Sequence, residues 1–342
     1  MRNSKNSLTD LIKYVAAVLV IYSHSYNLSQ NSQDILSVYS NNAITFGGIG
    51  VSILFAFSGY YIANSLRKKG SNHYIYNRLK RMIPSLFLVV ILSTFVLGPL
   101  ITTNSIIDYL TNKSTYLYLL NIVFVPIHNL PGVFLGNIFN STVNGSLWTM
   151  GVQFGCYIFL LFACKIKFLS DKKKIYYILL SGLFVGTVFL CSKILGMEIL
   201  KMAIRPVLVF CVGALLNMIE YNKNNKLLYF SIFLTLACFI INNKYLINFS
   251  VVVLLPFILI WLISNCSIRV NRKVLSCVIL SSYELYLVGF PIQQLICYLF
   301  GGSMNIFTNF VISLPISIVM AIMVKKISDS VTKRIFVKES KI

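Results

Sequence analysis

Ten runs of predominantly apolar residues decide what this chain can fold into. Their approximate limits are 8–28, 44–66, 83–103, 147–164, 175–193, 203–219, 227–241, 247–263, 274–299 and 305–324. Each is near the length that about 30 Å of hydrocarbon requires; the 227–241 run is the weakest. Of the 342 residues, 57% are hydrophobic and 11% charged, against about 25% charged in soluble domains. In lipid a backbone must satisfy its own polar groups, so such runs become helices. The expectation is an all-α, polytopic membrane bundle of about ten transmembrane helices. A single membrane domain would fill 1–342, with an outer loop at 104–146 and no soluble domain attached.

The charges orient the bundle. With the N-terminus in the cytoplasm, 24 of the 30 Lys and Arg residues fall in or beside inner segments. Five (Lys113, Lys193, Lys201, Arg205 and Lys244) fall at the outer side, and Lys13 lies within a run. By the positive-inside rule both termini are cytoplasmic, including the basic tail 325–342. The net charge of +21 therefore reads as topology. The basic residues neither line one amphipathic face nor interleave with aromatics, so no nucleic acid is expected as a partner; membrane lipids are. Eight cysteines without a CxxC pair, and three histidines far apart (His24, His73, His128), exclude a zinc site or disulfide framework as the reading. Lys13 interrupts the first run and no small-x-small site follows, so no cleavable leader is expected.

Polar residues in the apolar runs mark the candidate site. Lys13 and His24 are eleven residues apart, on one helical face and roughly 16 Å apart along the axis. Their ordinary reading is a snorkelling lysine and a wet imidazole at the rim. The glycine-rich stretch Gly47–Leu66 suits close helix packing around Ser58-Gly59. Arg78 and Arg81 share a face at the inner mouth, where guanidiniums suit either phosphates or simple topogenic charge. Asn144-Gly-Ser-Leu-Trp148 ends the outer loop; Trp148 also suits a plain interface anchor. Glu284 is expected near mid-membrane, where it must be protonated or paired with Lys13, Arg205 or protonated His24.

Together these stretches resemble the acyltransferase-3 family of integral membrane acyltransferases. Lys13 and His24 fit its opening basic residue, ten residues and histidine. Phe57-Ser58-Gly59-Tyr60 and Arg78-x-x-Arg81-Met-x-Pro84 follow. Leu130-Pro-Gly-Val-Phe-x-x-Asn137, Asn144-Gly-Ser-Leu-Trp148-Thr-Met150, Arg205 with Phe210 and Gly213, and Ser282-Tyr-x-Leu-Tyr-Leu287 with Pro291 complete the set, over residues 8 to about 324. There are two departures: Gln153 stands where the family often has glutamate, and Gly289 where it often has histidine before the aromatic-Pro pair.

The resemblance implies a stand-alone O-acyltransferase in the bacterial cytoplasmic (inner) membrane. Its donor would be acetyl-CoA, with no permanently bound cofactor and no metal. Its acceptor would be a hydroxyl of a cell-surface glycan or an undecaprenyl-linked sugar, as in O-antigen, capsule or exopolysaccharide O-acetylation. Lys13, Arg78 and Arg81 would hold the CoA. His24 would act as general base and then acid, with an acetyl-imidazole as the lesser variant. Glu284 would supply part of the charge that Gln153 lacks. Asn144, Trp148, Gln153 and Arg205 would serve the acceptor side, with Arg205 or Asn144 at the oxyanion. A lipid-linked glycan polymerase or flippase, and a non-catalytic membrane scaffold, are the competing readings.

Overall fold

The computed structural model describes residues 4–29, 33–69, 74–165, 173–219, 225–268 and 278–336. Among them the chain is helical, without strands; an isolated bridge pairs Asn129 with Thr142. The main helices are α1 (Ser4–Asn27), α2 (Phe46–Lys69), α3 (Tyr74–Ile101), α4 (Trp148–Lys165) and α5 (Lys173–Leu195). They continue as α6 (Glu198–Met218), α7 (Asn225–Ile241), α8 (Lys244–Asn265), α9 (Ser282–Leu299) and α10 (Ile306–Phe336). Each expected apolar run thus has a helical counterpart, with 274–277 of the ninth outside the described residues. So are His73 and, of the Lys and Arg residues in the charge count, Arg2 and those of 166–172, 220–224, 269–277 and 337–342.

Six of these helices are long and apolar enough to cross a membrane: α2, α3, α5, α6, α8 and α10. Helices α4 and α7 are shorter but apolar. On α5, Leu179, Leu183, Leu190 and Ile194 are exposed, and on α7 Phe230, Phe233, Leu236 and Ile240. Faces so apolar and bare fit lipid, not water. Helices α1 and α9 are the polar ones, carrying Asp10, Lys13, Ser23, His24 and Ser25 and then Glu284, Gln293 and Gln294.

Two compact units divide the chain. The first takes the described residues of 1–16, 35–75 and 152–270. Its seam is the crossing of α2 with α6. A Cβ on Gly59 would overlap the Phe210 carbonyl, and one on Gly213 would overlap the Ala56 carbonyl. The two backbones therefore touch where only glycine fits, which is the packing role expected of the glycine-rich stretch.

The second unit takes the described residues of 17–34, 76–151 and 271–342. Here α3 widens into a π turn at Ser93–Leu97 just before Gly98-Pro99. Pro99 has no N–H to give, so the Thr94 carbonyl five residues back is freed. Tyr109 Oη donates to it at 2.7 Å, and a Cβ on Gly98 would collide with that hydroxyl. The expected outer loop is thereby docked, not loose. Tyr109, Tyr118, Leu130, Val133, Phe134 and Val143 are all buried. Asn137 Nδ2 donates to Gln294 O and Oε1 at 2.9 and 2.7 Å.

Candidate functional site

The second unit assembles its polar residues along α9, beginning with a proline. Pro291 cannot donate to Leu287 O, four residues back. Asn144 Nδ2 donates to that carbonyl instead, at 2.9 Å, while Asn144 Oδ1 accepts from Ser146 N at 3.1 Å. Asn144 is fully buried. Two motifs far apart in sequence, Asn144-Gly-Ser and Phe290-Pro291, are thus halves of one device. The amide of Asn144 is spent on fixing the loop to the helix, which makes it a positioning residue. Next to it, Gly145 lies on the Phe290 ring; a Cβ there would come within 3.0 Å of the ring carbons.

His24 meets the same ring. Its imidazole stands edge-on to Phe290, with centroids 5.0 Å apart and planes at 86°. As a residue His24 is half-buried. Phe139 closes on Phe290 from another side at 6.0 Å. One residue earlier on α9, a Cβ on Gly289 would fall 2.7 Å from Ile21 Cγ1. Helix α1 approaches so closely there that the Ile21 side chain fills the room a residue larger than glycine would need. This is a physical reason for the departure from histidine at that position.

Sequence reasoning missed several residues here. His128 Nδ1 lies 3.1 Å from Asn144 O, so a second imidazole braces the loop segment beside His24. Asp34 is buried and accepts from Ser23 Oγ at 2.7 Å. An acid in a polar connection reads as solvated, and nothing local signals otherwise. The two consecutive glutamines, Gln293 and Gln294, carry one local clue: neither has the apolar character of the run around it.

Glu284 has another partner than expected. It lies in the first turn of α9, which follows a 3-10 turn at Ile279–Ser281. It is buried, and its partner is a hydroxyl: Ser85 Oγ donates to Oε1 at 2.8 Å and also contacts Ser328 Oγ at 3.0 Å. Ser85 follows Arg81 by four residues on α3. Arg81 is exposed and Arg78 partly so. The Glu284→Gln variant retains an acceptor for Ser85 and replaces the other carboxyl oxygen by an amide. It is expected to lower activity about tenfold, the worth of about one hydrogen bond; unchanged activity removes Glu284 from the catalytic set.

The first unit holds the other candidates except Trp148, which belongs to the second. Lys13 Nζ lies over the rings of Tyr61 and Phe57, 5.2 and 6.0 Å from their centroids. Tyr61 is itself anchored by a 2.6 Å hydrogen bond shared with Thr9. An aromatic seat of this kind lets a cation stay charged away from water. Gln153 Nε2 donates to Ser58 Oγ at 2.7 Å, joining the position of the family's glutamate to the Ser58-Gly59 motif. Arg205 Nη2 donates to Ala43 O at 2.5 Å and Nε to Asn248 Oδ1 at 3.0 Å. It also lines a groove of about 410 Å³ with Lys201, Leu208, Phe249 and Val252. Trp148 opens α4 and is partly exposed. Among the described residues no cluster of His, Cys, Asp and Glu could hold a metal ion.

The chain is 29% identical over 155 residues to an O-acetyl transferase of Shigella phage Sf6, a match spanning 45% of this chain and 44% of that protein. The match thus covers less than half the length of that relative. No solved structure matches the chain. The family model described as an acyltransferase domain, acyltransferase-3, matches residues 8–325, nearly the whole chain and every motif set out above. The chain belongs to the acyltransferase-3 family.

Proposed function

We propose that this protein is a multi-pass O-acetyltransferase of the bacterial cytoplasmic membrane. It would move acetyl from cytosolic acetyl-CoA to a hydroxyl of a surface polysaccharide or of its lipid-linked repeat unit. The observation that carries the reading is the placement of His24. It is an imidazole in a polar helix, packed on Phe290 beside the docked Asn144-Gly145 segment. Ten crossings with both termini cytoplasmic belong to the same proposal. The order of contacts between α1 and α9 supports it: Ile21 meets Gly289 and Leu28 meets Cys297. The two helices run in the same direction there, as two inside-to-outside spans must.

In the proposed reaction, neutral His24 takes the proton of the acceptor hydroxyl as its oxygen attacks the thioester carbonyl. The tetrahedral intermediate collapses with cleavage of the C–S bond, and His24 returns the proton to the departing thiolate. Arg78 and Arg81 would grip the phosphates of CoA at the inner mouth. From Arg81 to Ser85 is about 6 Å along α3, and from Glu284, Ser85's partner, to Phe290 about 9 Å along α9. The sum is about 15 Å. An extended thioester arm suits that span. Lys13 would add a further positive charge for the donor, and Trp148 and Gln153 would serve the acceptor side.

The test is transfer of label from radiolabelled acetyl-CoA to surface polysaccharide by the purified protein, with release of free CoA thiol and one added acetyl per repeat by mass spectrometry. Thiol release without any glycan acetylation, or no thiol release from folded protein, overturns the reading. A polymerase or flippase would consume no thioester. Within this scheme Lys13→Ala is expected to raise KM for acetyl-CoA about tenfold, one charge contact, with kcat within about threefold. A loss confined to kcat would remove Lys13 from the donor site.

A further inference from the structure

Two adjacent, fully buried glutamines on α9 face different parts of the second unit. Gln293 Nε2 lies 2.9 Å from Ile21 O, 2.8 Å from Ser25 Oγ and 3.0 Å from Asn309 Oδ1. Ser25 and Asn309 are also fully buried, and Ser25 Oγ is 3.2 Å from Asn309 Oδ1. Gln293 thereby clasps α1 on both sides of His24, at residues 21 and 25. Gln294 Nε2 donates to Phe139 O and Thr142 O, both at 2.7 Å, and its Oε1 accepts from Asn137 Nδ2 at 2.7 Å. Gln294 thereby holds residues 137–142 of the outer segment, which also supplies Phe139 against Phe290.

A glutamine inside an apolar helix has a reason to be buried only if its amide is used. Here the uses are separate. We propose that these two residues divide the positioning of the reaction: Gln293 fixes the rotation of α1 and so the direction of the His24 imidazole, and Gln294 fixes the outer segment that receives the acceptor. The packing makes this division mechanical. Gly289 admits Ile21 at closest approach, Phe290 receives His24, and Gln293 locks the backbone carbonyl of that same Ile21. A rotation of α1 has to break the Gln293 clasp; a shift of 137–142 has to break the Gln294 clasp and leaves α1 where it is. The inference rests on His24 being the acid–base group and on the outer segment being the acceptor side.

The experiment compares Gln293→Met and Gln294→Met in the purified full chain. Radiolabelled acetyl-CoA is the donor, and surface polysaccharide cleaved to its repeat units is the acceptor. Methionine keeps the volume and removes the hydrogen bonds. Gln293→Met is expected to lower kcat about 30- to 100-fold, as a misplacement of about 1 Å does, with both KM values within about twofold. It is also expected to move the acid limb of the pH–rate profile, because the surroundings of His24 change. A residue that only supports folding would scale the whole profile without moving it. Gln294→Met is expected to raise the acceptor KM about tenfold, with kcat within about threefold and the acetyl-CoA KM unchanged. Should Gln293→Met give too little folded protein, Ser25→Ala removes one member of the clasp and is expected to show the same signature at about fivefold.

Equal effects of the two substitutions on kcat and on acceptor KM overturn the division. So does a Gln293→Met, or in its place Ser25→Ala, with an unmoved pH profile. Failure of the underlying reading looks different: it is full activity in His24→Ala, whatever the glutamine variants do.

Discussion

Alanine at position 24 is expected to lower acetyl transfer about 10³-fold or more, the upper part of what a positioned general base contributes. The loss should be in kcat, with the KM for acetyl-CoA nearly unchanged. The imidazole is not asked to bind the nucleotide end, and the Arg78 and Arg81 end of α3 is untouched. The protein should still insert and keep its thermal midpoint within a few degrees. His24 contacts the Phe290 ring and is half-buried as a residue, so its removal is a smaller loss than that of a core side chain. The neighbouring hydrogen bonds of α1, from Gln293 to Ile21 O and Ser25 Oγ, do not involve the imidazole. Thiol release and glycan labelling, measured on the same purified variant, check the expectation. Wild-type rates in folded His24→Ala would remove the acid–base assignment and with it the proposed mechanism.

The second large effect is on the fold. Leucine at Gly59 is expected to destabilise the first unit by about 3 kcal/mol or more and to leave little folded protein in the membrane. The obstacle is backbone, not a flexible side chain. A Cβ on Gly59 would lie on the Phe210 carbonyl and 2.9 Å from Ala214 N. Helices α2 and α6 can admit it only by moving apart, which also breaks the reciprocal contact of Gly213 with the Ala56 carbonyl. Gly182→Leu on the lipid-facing α5 is the comparison, since a Cβ there meets nothing within 4 Å. Yield and thermal midpoint in detergent should separate the two variants; equal yields would show that the crossing tolerates side chains.

Part of the candidate site is legible from local signals. Lys13, His24, Arg78 and Arg81 stand out because ionisable groups are rare in apolar runs. Ser58-Gly59 reads as a packing site, and the reciprocal contact with Gly213 bears that out. Glu284 shows the limit of the same reasoning. The run offers Lys13, Arg205 or His24 as its partner, but the partner is Ser85, about 200 residues earlier. Asn144 is visible as a motif residue and not as the donor to a carbonyl freed by Pro291. Asp34 and His128 carry no local mark at all, because their surroundings come from chain segments remote in sequence.

The solvent and the class of structure follow from hydropathy and charge along the chain. Apolar runs of membrane length must become helices, since lipid offers no partner to an open backbone group, and the distribution of Lys and Arg carries the proposed orientation. The ordered motifs also place the chain in its family. Which polar atoms satisfy one another follows instead from three-dimensional packing: Asn144 on Leu287 O, Gln293 on Ile21 O, Ser85 on Glu284. Those pairings depend on which faces of distant helices meet, and hydropathy, a property of neighbours along the chain, does not encode them.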